Sequence, residues 1–238
     1  MLEVSDLHVE YGKVSAVTDI SLTVEPGRIT LVLGANGAGK STTLRTIAGL
    51  VEPTAGSIVL DGESLVGLRA HRVVKHGISL VPEGRQVFAS LSVAENLRVG
   101  GYTSTSEKRA QNTELAYELF PILRERKDGP AGLLSGGEQQ MLAFGRGLMS
   151  DPKYIMMDEP SMGLAPAIVD TVMESVRDIA DRGLGVLMVE QNAEAGLRVA
   201  DDVVVVNRGE SVYSGSAEEA RSHSSVVLAF LGEAALES

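Results

Sequence analysis

Hydrophobic and polar residues alternate through much of the first third of the chain, which is the pattern of half-buried β-strands. Apolar side chains recur at every second position in 2–4, 7–11 and 20–24, and turn residues separate these runs at Gly12-Lys13 and Pro26-Gly27. The alternation therefore predicts strands joined by tight turns at the N-terminus of the chain.

From Ser92 onward the spacing of apolar residues changes to that of helices. Ser92 and Glu95 form a capping-box pair at the start of one predicted helix, and a second helix is predicted over 106–120. We therefore expect one helical insert within an α/β core, with the boundaries 1–91, 92–149 and 150–238.

The last third of the chain returns to strands, separated by an amphipathic helix. This helix is predicted over 166–181, with its inward face formed by Ile168, Val169, Val172, Met173, Val176 and Ile179. Strands are predicted at 185–189 and 203–206. The C-terminal tail contains Val226, Val227 and Phe230 and is expected to form a packing helix.

Composition narrows the class of protein. The 238 residues are 44% hydrophobic, which suits one large domain with a sizeable core. The net charge of −11 argues against broad affinity for nucleic acid, because phosphate backbones require a basic field. The absence of cysteine excludes disulfides and thiolate metal sites. Neither a membrane span nor a signal peptide is expected from the pattern of apolar runs.

A glycine-rich stretch between a predicted strand and a predicted helix indicates a phosphate site. The strand covers 28–33 and the helix 41–50, and the stretch between them follows the pattern G-x-x-x-x-G-K-[ST]. Its glycines allow backbone N–H groups to point at one anion, Lys40 adds an ammonium, and Ser41 offers a hydroxyl to Mg²⁺. The alternative is a glycine-rich turn without a ligand. The flanking strand and helix favour a nucleoside triphosphate site formed by Gly34, Asn36, Gly37, Ala38, Gly39, Lys40, Ser41 and Thr42.

A second signal is a hydrophobic strand that ends in two adjacent carboxylates. Residues 154–157 are apolar, and Asp158 and Glu159 follow directly. At the carboxyl edge of the sheet Asp158 would reach Mg²⁺, and Glu159 would face the γ-phosphate and polarise an attacking water. Taken alone, the pattern also describes a strand followed by a solvated acidic turn. Its occurrence with the phosphate loop favours the catalytic interpretation.

Residues 133–140 predict a second anion cradle. Ser135 and Glu138 form a capping box, so a helix begins here, and Gly136 and Gly137 leave its N-terminal N–H groups accessible. A well-capped helix without a ligand is the alternative.

The three motifs, in this order and spacing, resemble the ATP-binding subunits of ABC transporters, and the resemblance covers essentially the whole chain. It implies an α/β P-loop cassette with an antiparallel β subdomain and an inserted helical subdomain. It also implies that two cassettes dimerise head to tail, so that Ser135, Gly136 and Gly137 would serve the γ-phosphate of the partner's ATP. Tyr11 would stack on adenine, unless it is a core or edge tyrosine.

Finer features resemble the ATPases of branched-chain amino acid importers. They are Val81–Arg85, Ser92–Leu97, Glu159–Pro166 and Val189–Ala193. Importers of urea and short-chain amides are close relatives. The resemblance implies an ATP- and Mg²⁺-dependent subunit, peripheral on the cytoplasmic face of the membrane. Its partners would be a second cassette, permease subunits and, indirectly, an extracytoplasmic solute-binding protein, with no nucleic acid. A soluble ABC ATPase that remodels a complex, an exporter and a regulatory module without turnover remain alternatives.

Three positions depart from the general ABC pattern, and the branched-chain branch resembles this sequence at all three. Glu83 stands where Gln is usual, although nearby Gln86 competes for the same role near Mg²⁺. Gln191 replaces the usual switch His, so it would donate a neutral hydrogen bond and would not titrate near pH 7. Ala165 replaces the usual Asp of the dimer-contacting loop. Arg85 is either a surface charge or a contact with a membrane partner.

Overall fold

The computed structural model describes residues 1–222, so the expected tail helix around Val226, Val227 and Phe230 lies outside the described residues. Ten strands form one sheet in the order β5-β4-β1-β2-β10-β9-β3-β8-β7-β6. The strands are β1 (Leu2–Tyr11), β2 (Val14–Val24), β3 (Ile29–Leu33), β4 (Ala55–Leu60), β5 (Glu63–Ser64), β6 (Ile78–Val81), β7 (Tyr154–Asp158), β8 (Gly185–Glu190), β9 (Asp202–Asn207) and β10 (Glu210–Ser216).

Residues 1–222 contain nine α-helices. They are α1 (Lys40–Ile47), α2 (Ala70–His76), α3 (Val93–Gly100), α4 (Ser106–Leu119), α5 (Pro121–Glu125), α6 (Gly136–Leu148), α7 (Pro166–Asp181), α8 (Ala193–Val199) and α9 (Ala217–Ser222), with a 3-10 turn at Ala131–Leu133. None of the helices within residues 1–222 is both long enough and apolar enough to cross a membrane.

The sheet has an antiparallel part and a parallel part. Strands β5, β4, β1 and β2 pair antiparallel, whereas β9, β3, β8, β7 and β6 pair parallel with one another. Strand β10 joins the two parts, because it pairs parallel with β2 and antiparallel with β9. All residues of β3, β7 and β8 are buried, because both faces of this part of the sheet are covered. Helices cover one face, and α1 together with β1 and β2 covers the other. In the register, Leu33 lies opposite Glu190 and Asp158 opposite Val189. The carboxyl ends of β3, β7 and β8 therefore meet at one edge.

Helices α3 to α6 follow one another between 93 and 148. Their apolar residues, including Leu97, Phe120 and Phe144, belong to the same core cluster as Leu31 of β3 and Met157 of β7. The helical segment is thus packed continuously onto the parallel part of the sheet.

Both predicted capping boxes are confirmed. Ser92 Oγ accepts from Glu95 N at 3.2 Å, and Glu95 Oε2 accepts from Ser92 N at 2.8 Å. Ser135 Oγ accepts from Glu138 N at 3.4 Å, and Glu138 Oε2 accepts from Ser135 N at 2.6 Å. These bonds fix where α3 and α6 begin.

Asn96, which is buried in α3, holds the segment that leads into that helix. Its Oδ1 accepts from Phe88 N at 2.9 Å, and its Nδ2 donates to Phe88 O at 3.0 Å and to Ser92 O at 2.9 Å. The Asn96 side chain therefore attaches the chain after β6 to the start of the helical segment.

Helix α7 has the predicted bounds, but one of its six predicted inward residues is wrong. Ile168 is 39% exposed. It lies in the first turn of α7, and its Cγ2 lies 2.5 Å from the position that a Cβ would take at Gly137. Its side chain is therefore directed at the start of α6 and not at the sheet.

Candidate functional site

Loop 34–39 joins β3 to α1, and two of its three glycines, Gly34 and Gly39, are required by close backbone contacts. A Cβ at Gly34 would lie 2.4 Å from Val206 O. Gly39 has φ 104°, and a Cβ there would lie 2.7 Å from Ala16 O. Neither contact leaves room for a side chain, so the loop can coil tightly only with glycine at these positions.

Lys40, the first residue of α1, is buried with 4% of its surface exposed. Its Nζ donates to Gly34 O at 2.8 Å and to Ala35 O at 3.1 Å, and it lies 3.5 Å from Glu159 Oε1. The ammonium is thus fixed inside the coil of the loop, at the position where outer phosphate groups bind in such loops.

Asp158 and Ser41 lie directly beside the loop. Ser41 Oγ donates to Asp158 Oδ1 at 2.8 Å. Burial raises the pKa of the Asp158 carboxyl, the Ser41 hydrogen bond lowers it in part, and the negative charges of Glu159 and Glu83 raise it further. A buried group of oxygen donors with excess negative charge suits a hard divalent cation.

The donor set also limits which ion fits. No group of three or more His, Cys, Asp or Glu side chains in residues 1–222 is arranged to hold a metal by itself. A Mg²⁺ ion bound by one or two protein ligands together with substrate phosphates fits this arrangement, because Mg²⁺ usually keeps several non-protein oxygens.

Glu159 follows β7 in a left-handed backbone conformation, with φ 49°. Its N–H donates to Val189 O at 2.9 Å, which ties the residue to β8. Such conformations are strained for residues other than glycine and persist only where neighbouring structure imposes them. The carboxylate is consequently held at the mouth of the loop.

A cavity of about 520 Å³ connects most of the predicted site residues. Its lining is Ala16, Asn36, Gly37, Gly39, Lys40, Ser41, Thr42, Glu83, Glu159, Met162 and Gln191. Gly34 and Ala38 belong to the loop but not to this lining, and Ala38 is buried while its carbonyl accepts from Gly209 N at 2.9 Å. Asp158 does not line this cavity, but it accepts a hydrogen bond from Ser41, which does.

Glu83, and not Gln86, lines the cavity with the phosphate loop. Gln86 lines a different, larger cavity, and its Nε2 donates to Glu83 O at 3.3 Å. The geometry therefore favours Glu83 of the two candidates for a position near the metal.

Two predicted contacts lie outside the lining. Tyr11, at the end of β1, is 47% exposed, so its ring is accessible for stacking but does not line the cavity. Residues 135–137 begin α6 and do not line the cavity either. The second anion cradle is thus separate from the phosphate loop of the same chain.

The sequence interpretation assigned no role to Glu190, whose side chain is 1% exposed. Its Oε1 accepts from Ser161 N at 2.8 Å. Burial raises the pKa of this carboxyl, the hydrogen bonds from Ser161 and Asn192 lower it, and the charge of Glu159 raises it. Glu190 therefore links the loop after Glu159 to the loop that contains Gln191. The sequence feature that could have identified Glu190 is a carboxylate at the end of an otherwise apolar strand.

A phosphate loop with a buried lysine, beside an acidic strand end at the carboxyl edge of a parallel sheet, defines a P-loop nucleoside triphosphatase. The family model described as ABC transporter matches residues 17–162. The chain belongs to the ABC transporter family, and the expected cassette fold is confirmed.

The relatives share nearly the full length of the chain. The "High-affinity branched-chain amino acid transport ATP-binding protein BraG" of Pseudomonas aeruginosa is 43% identical over 98% of this chain and 100% of its own. The "Probable branched-chain amino acid transport ATP-binding protein LivF" of Archaeoglobus fulgidus is 34% identical, covering 94% and 95%. The "Lipopolysaccharide export system ATP-binding protein LptB" of Haemophilus influenzae is also 34% identical, covering 98% of each chain.

Solved structures agree with this assignment. The ADP conformation of MJ1267, an ATP-binding cassette of an ABC transporter, superposes with TM-score 0.87 at 25% identity, covering 98% of both chains. The dimeric bacterial cassette MJ0796 has the same fold, with TM-score 0.79 at 21% identity over 91% of this chain and 99% of its own. The chain is therefore a nucleotide-binding cassette.

We predict that Gly39→Ala weakens ATP binding far more than Gly37→Ala. Both glycines have positive φ, but a Cβ at Gly37 would meet no atom within 4 Å, whereas one at Gly39 would overlap Ala16 O. Gly37→Ala should lower the affinity for ATP about tenfold because of backbone strain, and Gly39→Ala should lower it about a hundredfold or more. Titration with a fluorescent ATP analogue measures both. Equal losses would show that the close contact at Gly39 does not shape the loop.

We predict that the stability difference between wild type and Glu190→Gln falls as pH rises. Burial raises the pKa of Glu190 in the folded state above its pKa in the unfolded chain, which is about 4.3. The protonated carboxyl therefore stabilises the fold below pH of about 4.3, and this stabilisation is lost as the pH rises through the folded-state pKa. Urea unfolding over a pH series measures the difference, and Glu174→Gln on the exposed face of α7 controls for the substitution itself. A difference that grows with pH would contradict the desolvated environment of Glu190.

Proposed function

We propose that this chain is the ATP-hydrolysing subunit of an importer for branched-chain amino acids, bound to the cytoplasmic face of a membrane through permease subunits. The similarity to BraG, at 43% identity over the full length of that relative, supports this choice of solute. The observation on which hydrolysis rests is the convergence of Lys40, Ser41, Asp158 and Glu159 at one sheet edge.

In the proposed reaction the loop N–H groups and the Lys40 ammonium bind the outer phosphates of ATP and hold them in line for attack. Such sites act mainly by positioning and by stabilising charge. Mg²⁺, held by Ser41 and Asp158 with Glu83 nearby, would supply neutralisation of charge on the phosphate oxygens.

Glu159 is the proposed base. Its carboxylate lines the cavity 3.5 Å from Lys40 Nζ, so it faces the position of the terminal phosphate and can orient water there. Gln191 lines the same cavity and would donate a neutral hydrogen bond to the γ-phosphate. Because an amide does not titrate near pH 7, this contact would persist across the physiological range.

A second cassette would complete the site. Ser135, Gly136 and Gly137 present the N-terminus of α6 away from the cavity of their own chain, and they are proposed to bind the γ-phosphate held by the partner. The dimeric state of the related cassette MJ0796 supports this arrangement. The helical unit 92–149, which contains this cradle, is proposed to move as one subdomain.

The proposed permease contact is a second cavity of about 790 Å³. It lies between α2, β6 and α6, and the exposed apolar side chains Leu50, Phe88 and Val99 are among its lining residues. An accessible apolar concavity of this size is typical of a surface that binds another protein segment.

We predict that Glu159→Gln abolishes ATP turnover but not ATP binding. Loss of a general base typically lowers the rate by about a hundredfold to ten-thousandfold. The amide keeps the shape of the side chain, so the affinity for Mg-ATP should change little. Phosphate release and equilibrium binding measure the two quantities, with Glu174→Gln as the exposed control. Equal rates for wild type and Glu159→Gln would refute the proposed hydrolysis mechanism.

A reconstitution experiment tests which solute is transported. The cassette, its cognate permeases and a binding protein are placed in proteoliposomes with ATP on the cassette side. We expect leucine, isoleucine or valine on the opposite side to stimulate hydrolysis and to be taken up. Stimulation by a lipopolysaccharide acceptor would favour the function named for LptB. Unstimulated hydrolysis with no need for permeases would favour a soluble remodelling ATPase.

A further inference from the structure

The guanidinium of Arg85 lies between glycines of two different motifs. The three atoms nearest to the position of a Cβ at Gly136 all belong to it, namely Nη1 at 3.2 Å and Cζ and Nη2 at 3.3 Å. Its Nη2 also donates to Gly163 O at 3.3 Å. One half-buried side chain thus touches both the start of α6 and the loop that follows Glu159.

The backbone at Arg85 is held in an unfavourable conformation. Arg85 and Gln86 have φ of 64° and 47°, in the left-handed region that is unfavourable for residues other than glycine. Arg146 of α6 donates from Nη1 to Gln86 O at 2.7 Å and from Nη2 to Arg85 O at 3.3 Å, and its guanidinium lies 5.2 Å from the centre of the Phe88 ring. In residues 1–222 no ion pair to Arg146 is found. Its charged group therefore acts on the two carbonyls.

Helix α6 consequently contacts the same segment at two points. Gly136 meets the Arg85 side chain, and Arg146, ten residues further along α6, holds the Arg85 and Gln86 carbonyls. The two points are about 15 Å apart along the helix axis. Because both contacts lie on one helix, the Glu83–Gln86 segment is expected to follow α6 as a rigid unit.

Electrostatics argue against a helix-stabilising role for Arg85. The N-terminus of a helix has a partial positive charge, so a cation there is unfavourable. Glu138, in the capping box, offsets part of this charge. The position of Arg85 must therefore be explained by its contacts with Gly136 and Gly163.

We propose that Arg85 is a positioning residue that couples the anion cradle 135–137 to the catalytic loop 159–163 of the same chain. The inference rests on the proposed function, in which that cradle binds the partner's nucleotide. A shift of Gly136 on engagement of the partner would be transmitted by the guanidinium to the Gly163 carbonyl, and so to Glu159. Hydrolysis in one site would then depend on occupation of the other.

The test compares Arg85→Ala with Arg85→Lys, using Arg98→Ala on the exposed side of α3 as the control. We expect Arg85→Ala to lower kcat by about ten- to a hundredfold while the Kd for Mg-ATP changes less than about twofold, because only the catalytic geometry is lost. Lysine keeps the charge but not the planar fork, so Arg85→Lys should restore part of kcat. Arg98→Ala should resemble wild type.

A double-mutant cycle separates coupling from general damage. Gly136→Ala places a Cβ against the guanidinium, so its effect on kcat should be smaller in the Arg85→Ala background than in wild type. Full additivity, or a wild-type kcat in Arg85→Ala, would overturn the proposal. If Arg85→Ala does not fold, the same cycle is run with Arg85→Lys and the same criterion applies.

The two proposals fail in different ways. If the wild-type chain shows no turnover that depends on Glu159, the proposed function is wrong. If that turnover is present and the Arg85 variants match wild type, only the coupling is wrong.

Discussion

The structure depends on the burial of one ammonium. Lys40 Nζ lies within hydrogen-bond distance of two loop carbonyls and 3.5 Å from Glu159, almost without contact to solvent. A buried cation is costly unless hydrogen-bond acceptors and an opposite charge surround it. The loop must therefore coil around the side chain, and this coil is possible only where glycine allows the backbone to approach Val206 and Ala16. The parallel sheet provides the opposite charge. The end of β7 lies two strands away from the end of β3, and the Glu159 carboxylate follows β7 directly.

The parts of the site that follow from local chemistry could be predicted from the sequence. The phosphate loop, the acidic end of β7 and the two capping boxes depend on residues within a few positions of one another, so spacing alone indicates them. The strands are similarly local: those predicted over 185–189 and 203–206 are found as β8 and β9, which extend by one residue at one end and at both ends, respectively. For the roles of individual site residues, geometry places most candidates in one cavity, and their chemistry remains a prediction.

The remainder depends on contacts between distant segments. Ile168 satisfies the helical period of α7, yet its side chain meets Gly137, a contact that no periodicity contains. Glu190 has the sequence position of a solvated strand end, yet it is buried and its carboxylate accepts from Ser161 N, 29 positions away. Arg85 was left between two surface roles, because its partner Gly163 lies 78 positions away. Residues of this kind can be identified only when the packing is known.

Segment 82–92 connects the nucleotide cavity with the larger apolar cavity. Glu83 lines the nucleotide cavity, Phe88 lines the larger apolar cavity, and Asn96 binds the end of the segment to α3. Arg146 holds its middle to α6. We therefore expect a displacement at one cavity to alter contacts at the other, because the segment is short and is attached along its length. If a permease binds at the apolar cavity, both this segment and α1 connect that cavity to the nucleotide site. The left-handed backbone at Arg85 and Gln86 coincides with the two hydrogen bonds from Arg146, and such conformations persist only where neighbouring structure imposes them.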